Sequence, residues 1–209
     1  DILLSLSNNS PYPLAPELSK LAQMWRISGD IKDTWESISR IGFEHNPGWW
    51  NYMAPGHWND PDMLQIGAIG IPNRPNPTYK QSNLTPEEQR TQFSLWSLLS
   101  APLLLSCDIA GMDDPTFELL TNDEVIAIDQ DILAAKPELE IAGACRIYRK
   151  ALADGGSAIG VFNLSDAPVQ HPLLLGNTAT DLWTGETFHS EQPILEIAPH
   201  GVRLLKQNA

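Results

Sequence analysis

An α/β region of parallel strands joined by helices, followed by an all-β antiparallel domain, is the architecture that this 209-residue sequence predicts. Two textures in the chain carry that reading. Up to about residue 131, short apolar runs alternate with amphipathic stretches, the pattern of strands connected by helices. Beyond Lys136-Pro137 the chain turns to short strands separated by turn signals at regular spacing, the pattern of a small antiparallel β-sandwich. The division falls between regions 1–133 and 134–209.

Ile2-Leu3-Leu4-Ser5-Leu6-Ser7 reads as the first strand, and Pro16 to Gln23 as a short helix with proline in its first turn, where a missing N–H costs nothing. Gln23-Met24-Trp25-Arg26-Ile27-Ser28 is the second strand. The helix behind it, Asp33 to Ile41, puts Trp35, Ile38 and Ile41 on one face. A Trp- and Gly-rich loop from Asn46 to Gly56 leads to a third short strand near Trp58 to Ile66. Thr85-Pro86-Glu87-Glu88 is a capping box with proline at the first helical position, and Phe93, Trp96 and Leu99 form the apolar stripe of the helix it opens. Pro102 to Asp108 is the fourth strand. Asp114-Pro115 caps the next helix, and Thr121-Asn122-Asp123-Glu124 is a second capping box before Val125-Ile126-Ala127-Ile128. In the second region, Ala158-Ile159-Gly160-Val161-Phe162 follows the turn Asp154-Gly155-Gly156. Thr184-Gly185 turns between Leu182-Trp183 and Glu186-Thr187-Phe188, and Pro193 to Ile197 with Val202 to Leu205 complete the set.

Four β/α units are half of an eight-stranded (β/α)8 TIM barrel. A half barrel exposes two strand edges and an apolar face, so the expected partner is the missing N-terminal half of the barrel. The alternative is a complete open sheet of four strands with a sandwich attached.

Composition narrows the function. Thirteen Lys and Arg against 26 Asp and Glu give a net charge of -13, which argues against a nucleic-acid partner. A neutral ligand such as a sugar fits better. Six of the seven Trp precede residue 97, and flat rings pack on the C–H faces of pyranoses, although core packing explains any single one as well. Cys107 and Cys145 form no CxxC or Cys/His cluster, so no zinc site or disulfide framework is signalled and buried free thiols are expected. Asn8-Asn9-Ser10, Asn83-Leu84-Thr85 and Asn163-Leu164-Ser165 match the glycosylation triplet, which is too frequent to fix a compartment. No segment is apolar and long enough to span a bilayer, so no membrane partner is expected.

Two segments place carboxylates where apolar strands end: Trp25-Arg26-Ile27-Ser28-Gly29-Asp30-Ile31-Lys32 and Gly56-His57-Trp58-Asn59-Asp60-Pro61-Asp62-Met63-Leu64. Read alone, Asp30 is a loop acid or helix cap, Asp62 a turn carboxylate, Asp60 an acceptor for backbone amides, and Met63 a core residue. The five His residues lie in no nucleophile or metal constellation and read as surface or satisfied groups.

The same segments resemble the sixth and seventh strands of glycoside hydrolase family 27, the α-galactosidase and α-N-acetylgalactosaminidase group. The similarity runs on through Ala101-Pro102-Leu103-Leu104-Leu105-Ser106 and Asp123 to Asp131 and covers essentially the whole chain. It implies barrel strands five to eight followed by the family's C-terminal antiparallel domain. It implies further that Asp30, four residues after Arg26, is the general acid/base, and that Arg26, Asp62 and Met63 bind the sugar. Retaining glycosidases set two carboxyl groups roughly 5–5.5 Å apart, one attacking the anomeric carbon and the other protonating the leaving oxygen. For Asp30 to hold that proton, partial desolvation and the nucleophile's charge are expected around it. The family's nucleophilic Asp belongs to the fourth strand, within a Lys-x-Asp motif, which this chain does not include, so the chain alone is expected to be inactive.

The stretch Ser5 to Tyr12 departs from the galactosidase pattern, which reads the sugar 2-position from this loop, often with Glu; the small Ser7 fits either room for an N-acetyl group or another pocket design. α-N-Acetylgalactosaminidase and β-L-arabinopyranosidase activities therefore stand beside α-galactosidase. A non-catalytic carbohydrate-binding or assembly protein built on a half barrel is the reading from a different class. The resemblance implies no cofactor, a glycoside as the partner molecule, and an extracellular or periplasmic setting.

Overall fold

The computed structural model describes residues 2–71 and 78–209. Strands β1 (Ser5–Leu6), β2 (Met24–Arg26) and β3 (Trp58–Asp60) form a parallel sheet in that order, with Leu6 opposite Trp25 and Arg26 opposite Asp60. Helix α1 (Ala15–Leu21) follows a 3-10 turn at Tyr12–Leu14. Helix α2 (Trp35–Ser39) starts at Thr34, whose hydroxyl accepts from the Ser37 amide, and widens into a π-turn over Arg40–His45 that keeps Ile41 and Phe43 buried. Trp25, Ile27 and Trp49 pack with Ala15, Leu18 and Ala22 behind the sheet.

Strands β4 (Ala68–Gly70) and β5 (Tyr79–Gln81) pair antiparallel, an element that the sequence pattern did not foretell. Helix α3 (Pro86–Leu98) carries the expected capping box: the Thr85 hydroxyl accepts from the Glu88 amide at 3.2 Å, and the Glu88 carboxylate accepts from the Thr85 amide at 2.8 Å. Helices α4 (Asp114–Leu120) and α5 (Asp123–Asp129) complete the α/β region.

Four local expectations need correction. The cap of α4 is Asp113, not Asp114, because the Asp113 carboxylate is the group that reaches the Thr116 amide. The cap of α5 is Asn122, whose side chain accepts from the Val125 amide, so Thr121 and Glu124 form no capping box. The third strand ends at Asp60 instead of Ile66, since Pro61 has no N–H and Asp62 turns to φ 82°. Residues 102–108 are no regular strand: Leu104 N–H turns back to the Pro102 carbonyl at 2.9 Å. Only single bridges form, Leu105 parallel to Leu64 and Cys107 antiparallel to Ile69.

The C-terminal region contains β6 (Glu138–Ala142), β7 (Cys145–Ala151), β8 (Ser157–Asn163), β9 (Val169–Pro172), β10 (Ala179–Asp181), β11 (Thr187–Phe188), β12 (Ile194–Ile197) and β13 (Val202–Gln207). Six of them form an antiparallel sheet ordered β11-β10-β13-β8-β7-β6, and β12 with β9 forms the facing layer. Ile147, Ile159, Val161, Leu173, Leu195, Ile197 and Leu205 fill the space between. Leu182-Trp183 belongs to the turn after β10 instead of a strand, because the Asp181 carboxylate accepts from the Trp183 and Thr184 amides and bends the chain there. Asn163, fully buried at the end of β8, donates to the Ala167 and Ala198 carbonyls at 2.7 and 3.0 Å and accepts from the Ser165 amide and hydroxyl.

The largest core joins the two regions. Leu95, Trp96 and Leu98 of α3 share it with Phe43 of the α/β region and with Tyr148, Phe162 and Leu204 of the β domain. Phe43 and Phe162 stand edge to face at 5.2 Å. Lys150 is fully buried at this junction, its ammonium donating to the Ser97 and Ile128 carbonyls and the Ser100 hydroxyl. Across from this core, Ile2 and Ile132 are 95% and 85% exposed, and the outer edge of β1 has no strand beside it among the described residues.

Two expectations test this junction. A Cβ on Gly160 would stand 2.5 Å from Leu98 and 2.6 Å from Phe162, so Gly160→Ala should lower unfolding free energy by about 1–3 kcal/mol, measured by urea denaturation. Burial pushes the Asp129 carboxyl up to about 7, against the hydrogen bond from Gln130 and the attraction of Lys150. The native state therefore binds a proton that the unfolded chain has released, and this contribution to stability is lost as pH rises from the ordinary carboxylate range through about 7. Lys150, lowered to about 8 by burial, stays charged across that window. Between pH 5 and 7.5 the urea midpoint of the native chain should fall relative to that of Asp129→Asn; parallel midpoints would refute the assignment.

Candidate active site

The site forms where β2 and β3 end side by side. Parallel pairing puts Arg26 opposite Asp60, and the Ile27 amide bonds the Asp60 carbonyl at 3.0 Å, so the two chain exits are held together. Past β2 the chain turns through Ser28-Gly29-Asp30. Past β3, the Asp60 carboxylate accepts from the Asp62 amide at 2.8 Å and bends the chain, which places Asp62 in the left-handed region at φ 82°. A non-glycine residue there costs on the order of 1 kcal/mol or more and needs strong local contacts to hold it.

Those contacts are present. The Asp62 carboxylate accepts from the Met63 amide on Oδ1 and from the Ile31 amide on Oδ2, both at 2.8 Å. Arg26 Nη2 reaches Asp62 Oδ2 at 2.6 Å with both side chains 10% exposed. The same nitrogen lies 3.4 Å from Asp30 Oδ1 and 3.3 Å from the Ser28 carbonyl. The difference in distance ranks the partners: Asp62 is the principal counter-ion, and Asp30 a secondary one.

Asp30 and Asp62 thus share one Arg26 nitrogen, with Met63, next to Asp62 in the chain, exposed. The side chain of Asp30 is 98% exposed, so the desolvation expected around it is not supplied by its described neighbours. Asp62 is the reverse case, buried and already accepting on both oxygens. Asp60 is the third carboxylate. Burial raises its pKa and the charge of Asp62 adds to that, while the Asp62 amide and Arg26 oppose it. Its bond to the Asp62 amide matches the reading of Asp60 as a backbone acceptor.

The sequence reading passed over the support beneath this turn. Trp96 Nε1 donates to the Asp62 carbonyl, and Gln92 bonds both the Met63 carbonyl and the Gln65 amide. A polar Gln beside Thr and Ser on an otherwise buried helix was the available signal. Near the site, Arg26 Nε, Ser28 Oγ and Asn59 Oδ1 are buried without a protein partner. Among the described residues, no group of three or more His, Cys, Asp or Glu side chains is arranged to hold a metal ion. His57 bonds the Ala22 carbonyl, and His200 stacks on Trp35 between Glu88 and Asp166. Cys107 and Cys145 are free thiols.

Two family models match this chain: residues 6–131 match "Alpha galactosidase A", and residues 142–207 match "Alpha galactosidase C-terminal beta sandwich domain". Alpha-galactosidase 2 of Arabidopsis thaliana is 33% identical over 196 residues, covering 88% of this chain and 46% of that protein. The alpha-galactosidase of Cyamopsis tetragonoloba is 38% identical over 148 residues, 70% of this chain and 33% of that one. Among solved structures, the GH27 β-L-arabinopyranosidase of Geobacillus stearothermophilus superposes on the entire chain with a TM-score of 0.89 at 30% identity, using 50% of its own length. A single-residue variant of that enzyme has also been solved in complex with arabinose. The chain spans about half the length, or less, of these relatives. A partial α/β region with parallel strands, continued by an antiparallel β-sandwich that aligns with half of a GH27 structure, places this chain in the GH27 α-galactosidase family.

Proposed function

We propose that this chain carries the acid/base half of a retaining glycosidase acting on terminal α-galactosides, with Asp30 as the proton donor and acceptor. One observation supports the reading above others: a single Arg26 nitrogen joins Asp30 to Asp62 at the ends of two adjacent parallel strands. Catalytic residues of β/α barrels sit at that end of the strands.

In the first step a carboxylate from the remaining barrel attacks the anomeric carbon, the glycosidic C–O bond breaks, and the Asp30 carboxyl proton passes to the leaving oxygen. In the second, Asp30 as carboxylate takes a proton from water, the water oxygen bonds the anomeric carbon, and the nucleophilic carboxylate departs. Desolvation of Asp30 comes from the bound sugar and the rest of the barrel, since its own neighbours leave it open. Asp62 and Met63 hold the ring at its non-reacting side, and Arg26 orients both carboxylates through Nη2.

A β-L-arabinopyranoside has the ring of an α-D-galactoside without the exocyclic CH2OH, so one pocket geometry serves both rings. The likeness to the Geobacillus structure supports that second substrate specifically.

The test joins this chain to the first four β/α units of the Geobacillus relative and assays nitrophenyl α-galactoside, β-L-arabinopyranoside and α-N-acetylgalactosaminide. Turnover should appear in the joined protein and not in the chain alone. In the joined protein, Asp30→Asn should cost roughly 10²–10⁴-fold on alkyl glycosides and far less on nitrophenyl ones, because only poor leaving groups need protonation. Equal losses on both would remove Asp30 from the acid role. No turnover of any substrate would leave the carbohydrate-binding reading in its place.

A further inference from the structure

We propose that Gln92 and Trp96, two fully buried side chains of α3, are positioning residues that set the sugar-binding posture of Asp62 and Met63; this rests on the sugar-contact reading of those two residues. The turn after β3 is bound from behind by α3 at three main-chain groups. Trp96 Nε1 donates to the Asp62 carbonyl at 2.9 Å, and Gln92 Nε2 donates to the Met63 carbonyl at 3.2 Å. Gln92 Oε1 accepts from the Gln65 amide at 2.8 Å. Both side chains are wholly excluded from solvent.

Placement gives these bonds their importance. Asp62 sits at φ 82°, an unfavourable region for a residue with a Cβ, and relaxation would swing its carboxylate away from Arg26 and the Ile31 amide. A buried amide that both donates and accepts across Met63 and Gln65 resists that rotation. A hydrocarbon of equal size would fill the space but leave a carbonyl and an amide unpaired. Trp96 secures the strained residue itself, and its ring also fills the core shared with the β domain, so its polar edge serves the site while its body serves the fold. Because Asp62 and Met63 meet parts of the sugar that do not react, misplacing them should weaken ground-state and transition-state binding alike.

Two measurements test this. In the chain alone, Gln92→Met should speed amide hydrogen exchange of Ile31, which touches Asp62 and lies 31 residues away from it in sequence, while exchange in β7 and β8 stays unchanged. In the joined protein, Gln92→Met and Trp96→Phe should raise KM about tenfold or more with kcat within about threefold and the pH profile unmoved. Gln92→Glu, which keeps the acceptor for Gln65, should recover part of the loss. Asp62→Ala is the control. If it leaves KM unchanged, the sugar-contact reading itself fails. If it raises KM while both α3 variants do not, the positioning role fails and Gln92 and Trp96 serve stability only. A loss of kcat at unchanged KM, or exchange that rises throughout β7 and β8 as well, would also overturn it.

Discussion

Burial on every side governs α3, and the rest of the molecule is arranged around that constraint. An ordinary surface helix buries one stripe and solvates the other. Helix α3 instead lies between the α/β region and the β domain, with Thr91 through Leu98 all enclosed. Its polar side chains must then find partners inside the protein. Ser94 and Ser97 return their hydroxyls to the carbonyls of Arg90 and Phe93, and the Thr91 hydroxyl donates to the His200 carbonyl across the domain junction. Gln92 and Trp96 turn the other way, toward the chain that follows β3. One helix therefore ties the β-sandwich to the turn that bears Asp62.

That arrangement explains a contrast between two carboxylates only four and thirty-six residues from Arg26. Asp62 is enclosed, doubly hydrogen-bonded and paired at 2.6 Å, a geometry with little freedom. Asp30 hangs from the same guanidinium at 3.4 Å with its side chain open. Under the proposed function, the fixed carboxylate holds the ring and the loosely held one exchanges the proton once a substrate covers it. Separate family models match the two halves of the chain, and single relatives align across both.

Much of this was legible in the sequence because the informative signals are local. Alternating apolar runs and amphipathic stretches marked β1, β2 and their helices, and Thr85-Pro86-Glu87-Glu88 marked the start of α3 to the residue. Carboxylates beside Trp25-Arg26 and Trp58-Asn59 marked the segments that the structure brings together around Arg26. The misreadings arose where several residues of one type compete or where pairing is non-local. Asp113 and Asp114, or Thr121 and Asn122, are equally good caps until backbone geometry selects one. The stretch 102–108 has a strand's composition, but Pro102 and the crossing contact to β4 leave it only isolated bridges. The burial of Lys150, and the enclosure of Gln92, depend on which surfaces meet, and no window of sequence records that.

The handling of Asn163 bears on how this chain would tolerate expression through the secretory pathway of a eukaryotic cell. Its amide nitrogen, the atom to which an oligosaccharide would be attached, is committed to the carbonyls of Ala167, Ala198 and Ile197 inside the β domain, and its Ser165 neighbour is folded back onto it. A sugar chain added there during synthesis would have to displace those hydrogen bonds at a residue that is fully buried. The triplet that advertises this residue to a glycosylating enzyme is thus incompatible with the native sandwich, whereas Asn83 stands at the surface and carries no such conflict.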